Sequence, residues 1–212
     1  MIQWVYERAL SAEYIDKIII ATDDDRIFKA AESFGAAVMM TASTHTSGTQ
    51  RVNEVAQSLE APIIINIQGD EPLLQGEMID NLVKELQDPS ISMATLAERS
   101  TELDLLEEKG IVKVVMDKNG YALYFSRSPM PYQATGFFWH HVGIYGYQRN
   151  FLLKFAQLPV LSLEKQEKLE QLRALEHGFR IKVLPTKQPT LSVDYPEDIA
   201  KVENIVNNMN HD

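Results

Sequence analysis

The chain has 212 residues, a formal net charge of −10 and a hydrophobic share of 45%. That is the profile of an ordinary globular domain, and it excludes a broadly basic nucleic-acid binder. No apolar run approaches the ~20 residues that span a bilayer, the opening Met1-Ile2-Gln3-Trp4-Val5-Tyr6-Glu7 lacks the regions of a secretory signal, and the absence of cysteine excludes disulfides and thiolate chemistry, which fits a reducing cytoplasm.

In chain order, Ile2, Val5, Tyr6 and Ala9 fall at helical spacing, so the chain opens inside a helix. Lys17 to Ala21 reads as a short buried strand. Thr22-Asp23-Asp24-Asp25 offers an N-cap and early acidic charge for a helix running to Phe34, with Gly35 at its end. Ala36 to Met40 is a second strand, and Ser47-Gly48-Thr49-Gln50 has capping-box spacing for a helix through about Ser58. A strand from Ile63 and a helix from about Glu77 to Leu86 follow. This alternation predicts an α/β domain with a mostly parallel sheet. After Asp88-Pro89 the rhythm changes: Ile91 to Leu96, Val112 to Met116 and Ala122 to Phe125 read as strands, the last two joined by the hairpin signal Asp117-Lys118-Asn119-Gly120. His141 to Tyr147 is a further strand and Glu164 to His177 a single helix ended by Gly178. Strands at Phe179 to Leu184 and Leu191 to Val193 precede a helix starting near Pro196.

Residues Ile63 to Pro72, Ile-Ile-Ile-Asn-Ile-Gln-Gly-Asp-Glu-Pro, carry the most chemistry. A β-branched run suited to a buried strand breaks into adjacent carboxylates at Asp70 and Glu71. Ligands of open α/β sheets bind just beyond such strand ends, and paired hard oxygens there suit a cation such as Mg²⁺. An acidic turn with Gly69 and Pro72 as ordinary punctuation is the alternative.

Seven blocks in order resemble the 3-deoxy-D-manno-octulosonate (Kdo) cytidylyltransferases: Ala21-Thr22-Asp23, Ser47 to Arg51, Asn66 to Pro72, Ala122 to Arg127, His141 to Tyr147, Leu169 to Arg173 and Val193 to Asp198. The resemblance spans nearly the whole chain. It implies a Rossmann-like nucleotidyltransferase fold over residues 1–212, with residues 112–178 as a smaller sugar-binding and dimerisation region. It further implies transfer of the cytidylyl group of CTP to Kdo for lipopolysaccharide assembly, in the cytoplasm, by a homodimer that engages neither nucleic acid nor membrane. Family members open with a strand and a Pro-Ala-Arg loop whose basic residues grip the triphosphate. Met1 aligns just after that segment, so the expectation is a chain lacking it, through a misplaced start codon, a shortened chain or a deletion. An inactive dimerising fragment and a cytidylyltransferase for another 2-keto sugar acid are the rival expectations.

The same resemblance implies roles residue by residue. Asp70 and Asp194 are the implied catalytic Mg²⁺ ligands, with helix capping the alternative for Asp194. Ser47, Thr49, Arg51 and Gln68 are the implied nucleotide contacts. Arg51 sits at a helix start where amides and a guanidinium hold phosphate, or else it is a solvated arginine paired with Glu54. Gln68 suits the base or ribose, or merely braces the turn. Arg127, His141, Tyr145, Glu170 and Gln171 are the implied sugar pocket, since a carboxylate bearing many hydroxyls calls for an arginine fork and neutral polar groups. A structural histidine at His141 and a solvated Glu170 paired with Arg173 are the alternatives. Phe137, Phe138 and Trp139 are expected in core or interface.

Overall fold

A computed structural model describes residues 1–188, 192–193 and 196–209. In chain order the elements are α1 (Ile2–Ala9), β1 (Ile20–Thr22), α2 (Asp25–Ser33), β2 (Val38–Met40), α3 (Gly48–Gln57), β3 (Ile63–Asn66), α4 (Gly76–Leu86) and β4 (Met93–Ser100). After a 3-10 turn at Leu103–Glu107 come β5 (Lys113–Met116), β6 (Ala122–Ser126), β7 (Phe138–Gln148), α5 (Arg149–Phe155), α6 (Ser162–Glu167), α7 (Leu172–Glu176), β8 (Lys182–Thr186) and α8 (Pro196–Met209). The chain divides into two compact units: Met1–Leu59, Asn66–Asp80 and Gln188–Asp212 form the first, Glu60–Ile65 and Asn81–Lys187 the second.

In the first unit β1 and β2 pair in parallel, Ile20 opposite Val38. Ile20, Ala31 and Ala36 form a small core against which Ile2, Tyr6, Phe34 and Val38 pack, so part of the apolar face of α1 and Ala31 of α2 are buried there. The helix boundaries follow from caps the sequence carries. Asp24 accepts the Arg26 N–H at 2.7 Å to start α2, and Gly35 at φ +78° ends it. Ser47 accepts the Gln50 N–H at 3.3 Å to start α3. The return bond of the capping box lands one residue early, with the Gln50 carbonyl oxygen of the side chain accepting from Thr46 N–H at 2.9 Å. Leu73 and Val202 form a second small core with Val193 and Ile205, which seats α8 over the turn after β3.

The second unit holds a mixed six-stranded sheet in the order β6-β5-β7-β4-β8, with β3 beside β7. β4 and β8 are parallel, whereas β4–β7, β5–β6 and β5–β7 are antiparallel. The α/β class expected from the alternation holds, with β1–β2 and β4–β8 as parallel ladders. The Asp117 turn forces β5 and β6 to run oppositely, because a parallel pair needs a long crossover. Asp117 stabilises that turn by accepting the N–H groups of Asn119 and Tyr121 at 2.8 and 2.9 Å. Residues 112–178 fall inside this unit, which is wider because β4 and β8 are bonded into the same sheet. Gly146 marks the close approach of α4 to β7: a Cβ there would lie 2.4 Å from Leu86 Cδ1.

One predicted element is corrected. The helix expected over Glu164 to His177 is two short helices, interrupted at Lys168 with φ +54°. Glu176 of α7 accepts the N–H groups of Leu163 and Glu164 at 2.9 and 3.3 Å, capping α6 from outside. Arg173, 3% exposed, forms a two-pronged ion pair with Glu164 at 2.5 and 2.6 Å. A continuous helix would hold residues twelve apart at about 18 Å, at 1.5 Å per residue, and both ties would be impossible. Helix α5 forms where the sequence carries no predicted element.

The start of α4 is packed without slack. A Cβ on Gly76 would meet the Ser11 and Ala12 backbone at 2.5 Å, while the Asp80 carboxylate accepts the N–H groups of Glu13 and Tyr14 at 3.0 and 2.9 Å. Backbone cannot swing aside as a side-chain tip can, so Gly76→Ala is expected to destabilise the protein by about 1–3 kcal/mol, read as a lowered urea midpoint. An unchanged midpoint would show that the 11–14 segment yields freely.

Candidate active site

The turn after β3 gathers one set of the sequence-derived residues in the first unit. Gln68 donates from Nε2 to Asn66 Oδ1 at 3.0 Å and lies against the start of α3. A Cβ on Gly48 would come within 2.8 Å of Gln68 Nε2, so glycine here permits the close approach of the amide to the Ser47–Thr49 turn. Thr49 is buried at 3% exposure and Ser47 is half-buried. Arg51 pairs with Asp23 at 3.0 Å and donates to the Thr41 hydroxyl. Glu54, the alternative partner, is taken by the Ala42 N–H at 3.1 Å and by His45, and those two contacts hold its carboxyl below the usual range. Asp23, read as helix-terminal charge, therefore fixes Arg51 instead.

Asp70 is half-buried, and its carbonyl accepts the Val193 N–H at 2.9 Å. Beside it the Ser192 hydroxyl donates to Glu71 at 3.0 Å, and Glu71 is buried at 6% exposure. The segment leading to Asp194 is thus stitched to the turn that carries Asp70. Asp194 itself lies outside the described residues, as does Leu191 of the short strand expected there. Among the described residues no three His, Cys, Asp or Glu side chains form a metal cluster. A half-buried carboxylate at a strand end fits Mg²⁺, which takes one or two carboxylates and leaves its other positions to water and phosphate.

The second set lies in the second unit. His141 and Tyr145 share one face of β7, ring centroids 5.4 Å apart, and Phe125 of β6 meets His141 edge-on at 5.0 Å. Between the two residues β7 bulges, its pairing to β4 jumping from Tyr145 to Val142. Thr95 fills the bulge: its hydroxyl lies 2.8 Å from Ile144 O, 3.2 Å from Val142 O and 3.0 Å from His141 Nε2. Carbonyls can only accept, so where the single hydroxyl proton goes to a carbonyl, His141 Nε2–H donates to Thr95. In that arrangement Nδ1 is left as an acceptor. Burial, and secondarily the neighbouring His140, pushes the His141 pKa down to about 3.

Gln171, 4% exposed, follows the break at Lys168, and its Nε2 is buried with no hydrogen-bond partner among the described residues. An orphaned buried donor costs about 1–3 kcal/mol and suits a ligand oxygen. Glu170 is half-buried and meets Arg173 at 3.4 Å, a looser contact than Arg173 makes with Glu164. Arg127 follows the end of β6, and its guanidinium reaches Lys109 O at 3.0 Å. Arg127, His141, Tyr145 and the Glu170–Gln171 pair are therefore brought to one part of one unit. Ser47, Thr49, Arg51, Gln68 and Asp70 are brought to one part of the other. Phe138 is core at 1% exposure, while Phe137 stacks edge-on with Trp139 and lies under Arg99. Thr95 carried no motif signal, because a lone threonine inside a strand looks like any other β-former.

Comparison with known proteins decides what this arrangement belongs to. The cytidylyltransferase family profile matches residues 1–183. The chain belongs to the cytidylyltransferase family. It is 50% identical over 210 residues to a 3-deoxy-manno-octulosonate cytidylyltransferase of Solibacter usitatus, covering 97% of this chain and 83% of that one. It is 46% identical over 224 residues to the protein of that name in Thermodesulfovibrio yellowstonii, covering 98% and 88%. A solved CMP:2-keto-3-deoxy-manno-octonic acid synthetase complexed with CTP superposes with a TM-score of 0.92 at 38% identity, covering 98% of this chain and 88% of that one. A 4-diphosphocytidyl-2C-methyl-D-erythritol synthase from Anaerococcus prevotii, at 12% identity and a TM-score of 0.65, shares the fold. No helix among the described residues is long and apolar enough to cross a membrane.

His141 generates a stability signature. An unfolded histidine takes its proton near pH 6.5, whereas the folded site holds the ring neutral until about pH 3. Between those values the unfolded chain binds the extra proton, so folding stability falls as pH falls through that window. The thermal midpoint is expected to drop between pH 6.5 and about 5, above the carboxylate range, and to drop less steeply in His141→Gln. Parallel slopes in the two proteins would contradict the buried neutral ring.

Proposed function

We propose that this protein transfers the cytidylyl group of CTP to Kdo, giving CMP-Kdo and pyrophosphate. The observation that carries the proposal is the near full-length likeness to relatives named for that reaction. The anomeric hydroxyl of the sugar attacks the α-phosphorus in line, an oxygen–phosphorus bond forms, the bond to the β-phosphate breaks and the hydroxyl proton is released. Such chemistry asks for positioning and charge neutralisation rather than a covalent nucleophile.

In this proposal Gln68 hydrogen-bonds the base or ribose, and the Ser47–Thr49 turn with Arg51 receives phosphate oxygens. Asp23 holds the Arg51 guanidinium in place and offsets part of its charge. Asp70 and Asp194 hold Mg²⁺, which when bound neutralises the triphosphate and polarises the phosphorus under attack. Arg127 takes the sugar carboxylate. Neutral His141 accepts a sugar hydroxyl at Nδ1, Gln171 Nε2 donates to a sugar oxygen, and Tyr145 and Glu170 complete the pocket. A buried arrangement of neutral polar groups suits a polyhydroxylated ligand, because each hydroxyl finds a fixed partner without charge to desolvate. The enzyme acts in the cytoplasm, supplies lipopolysaccharide assembly and pairs as a homodimer through residues 112–178. Leu123, 63% exposed on the edge strand β6, supports a partner on that side.

A cytidylyltransferase for another 2-keto sugar acid is the second reading, favoured only by how common a carboxylate-and-hydroxyl ligand is among such sugars. The test is pyrophosphate release from CTP with a panel of 2-keto sugar acids, with Mg²⁺ and after chelation. The expected result is turnover with Kdo at least about tenfold better in kcat/KM than with a nine-carbon 2-keto acid, lost on chelation. A preference for the nine-carbon acid would transfer the assignment to the second reading, and no release with any would remove both.

A further inference from the structure

Arg127 stands one residue beyond the last ladder pair of β6, in which Ser126 faces Lys113. Its backbone groups are held by two charged side chains instead. Its N–H donates to Glu167 Oε2 at 3.2 Å, and its carbonyl accepts from Lys113 Nζ at 2.7 Å. Lys113 is 0% exposed, and its two other ammonium protons go to Glu108 O at 2.9 Å and Ile111 O at 3.0 Å. Those carbonyls flank Lys109 and Gly110, whose carbonyl oxygens the Arg127 guanidinium faces at 3.0 and 3.5 Å. One buried ammonium therefore fixes both the backbone of Arg127 and the turn against which its side chain rests.

Glu167 serves the other side. It accepts from the Ser126 hydroxyl at 2.8 and 3.0 Å and from the Tyr124 hydroxyl at 3.3 Å, besides the Arg127 N–H. It is also the last residue of α6, immediately before the left-handed Lys168 that redirects the chain into Glu170 and Gln171. One carboxylate thus ties the end of β6 to the segment bearing the orphaned Gln171 amide. Every hydrogen bond described for Lys113 goes to a carbonyl, so only the more distant charges of Glu107 and Glu108 offset its desolvation, and burial still draws its pKa down. An apolar side chain would cost the fold less in desolvation, which marks the ammonium as serving placement.

We infer that Lys113 and Glu167 are positioning residues for sugar-acid binding, which together set where Arg127 and the Glu170–Gln171 segment stand. The inference rests on the proposal that Arg127 takes the sugar carboxylate. Neither residue touches substrate; each acts through the backbone it holds.

The experiment is steady-state pyrophosphate release by the full chain carrying Glu167→Gln, Lys113→Met, Arg127→Ala and the Glu167→Gln/Arg127→Ala pair. Circular dichroism confirms folding, and the near-isosteric Glu167→Gln carries the test if Lys113→Met does not fold. Glu167→Gln is expected to raise KM for Kdo about tenfold with KM for CTP unchanged within about twofold. In the Arg127→Ala background the same change is expected to add less than about twofold, since the residue it positions is gone. An equal rise in KM for CTP, or a full effect of Glu167→Gln without Arg127, overturns the inference as mere destabilisation. If Arg127→Ala raises KM for Kdo but Glu167→Gln does not, the positioning role alone falls. If Arg127→Ala leaves KM for Kdo unchanged, the assignment of Arg127 to the sugar fails and the inference falls with it.

Discussion

The hydrogen bond from Val193 N–H to Asp70 O, with the Ser192–Glu71 contact beside it, is the tie on which the turn after β3 depends. Residues 121 positions apart in the chain meet there. The cost of closing so long a loop is offset by the small apolar core of Leu73, Val202, Val193 and Ile205 next to it. Glu71 is too buried to be left unbonded, so the Ser192 hydroxyl both satisfies it and sets the register of the returning chain. Carboxylate placement at a strand end thus follows from ordinary demands on buried polar groups.

Burial does comparable work around His141, in the second unit. The bulge in β7 exposes two carbonyls inside the sheet, and Thr95 answers them with one hydroxyl that also meets His141 Nε2. The low dielectric that keeps His141 neutral also makes each unmet hydrogen bond costly. Among the described residues Gln171 Nε2 is one such unmet donor. Against this background, Lys113 holds main-chain carbonyls while Glu167 holds the Arg127 N–H together with the Ser126 and Tyr124 hydroxyls, and neither pairs with the other.

Much of this was legible in the sequence because the signals were local. The caps at Asp24 and Ser47, the stop at Gly35 and the Asp117–Gly120 turn all appear where their side-chain chemistry places them. The candidate site residues rest on collinear motifs alone, since no single Gln68 or His141 announces a role. What stayed hidden was tertiary. The run from Glu164 to His177 consists of good helix formers, and nothing local reveals that Arg173 and Glu176 fold it back on itself. A hydrophobic run gives a strand but not its direction, so the mixed sheet around β7 was not visible. Arg51 was seen as a phosphate ligand or a partner of Glu54, and its tie to Asp23 joins two segments that only the fold brings together.

The central claim is that the turn after β3 is half of a catalytic centre and not an acidic bend. Pyrophosphate release from CTP and Kdo by Asp70→Asn, in the presence of Mg²⁺, tests it most directly. The substitution keeps size and the backbone bond to Val193 while removing the charge. A fall in kcat/KM of about 10²-fold or more, with folding intact, is the result the account predicts. Activity within about threefold of the parent would contradict it.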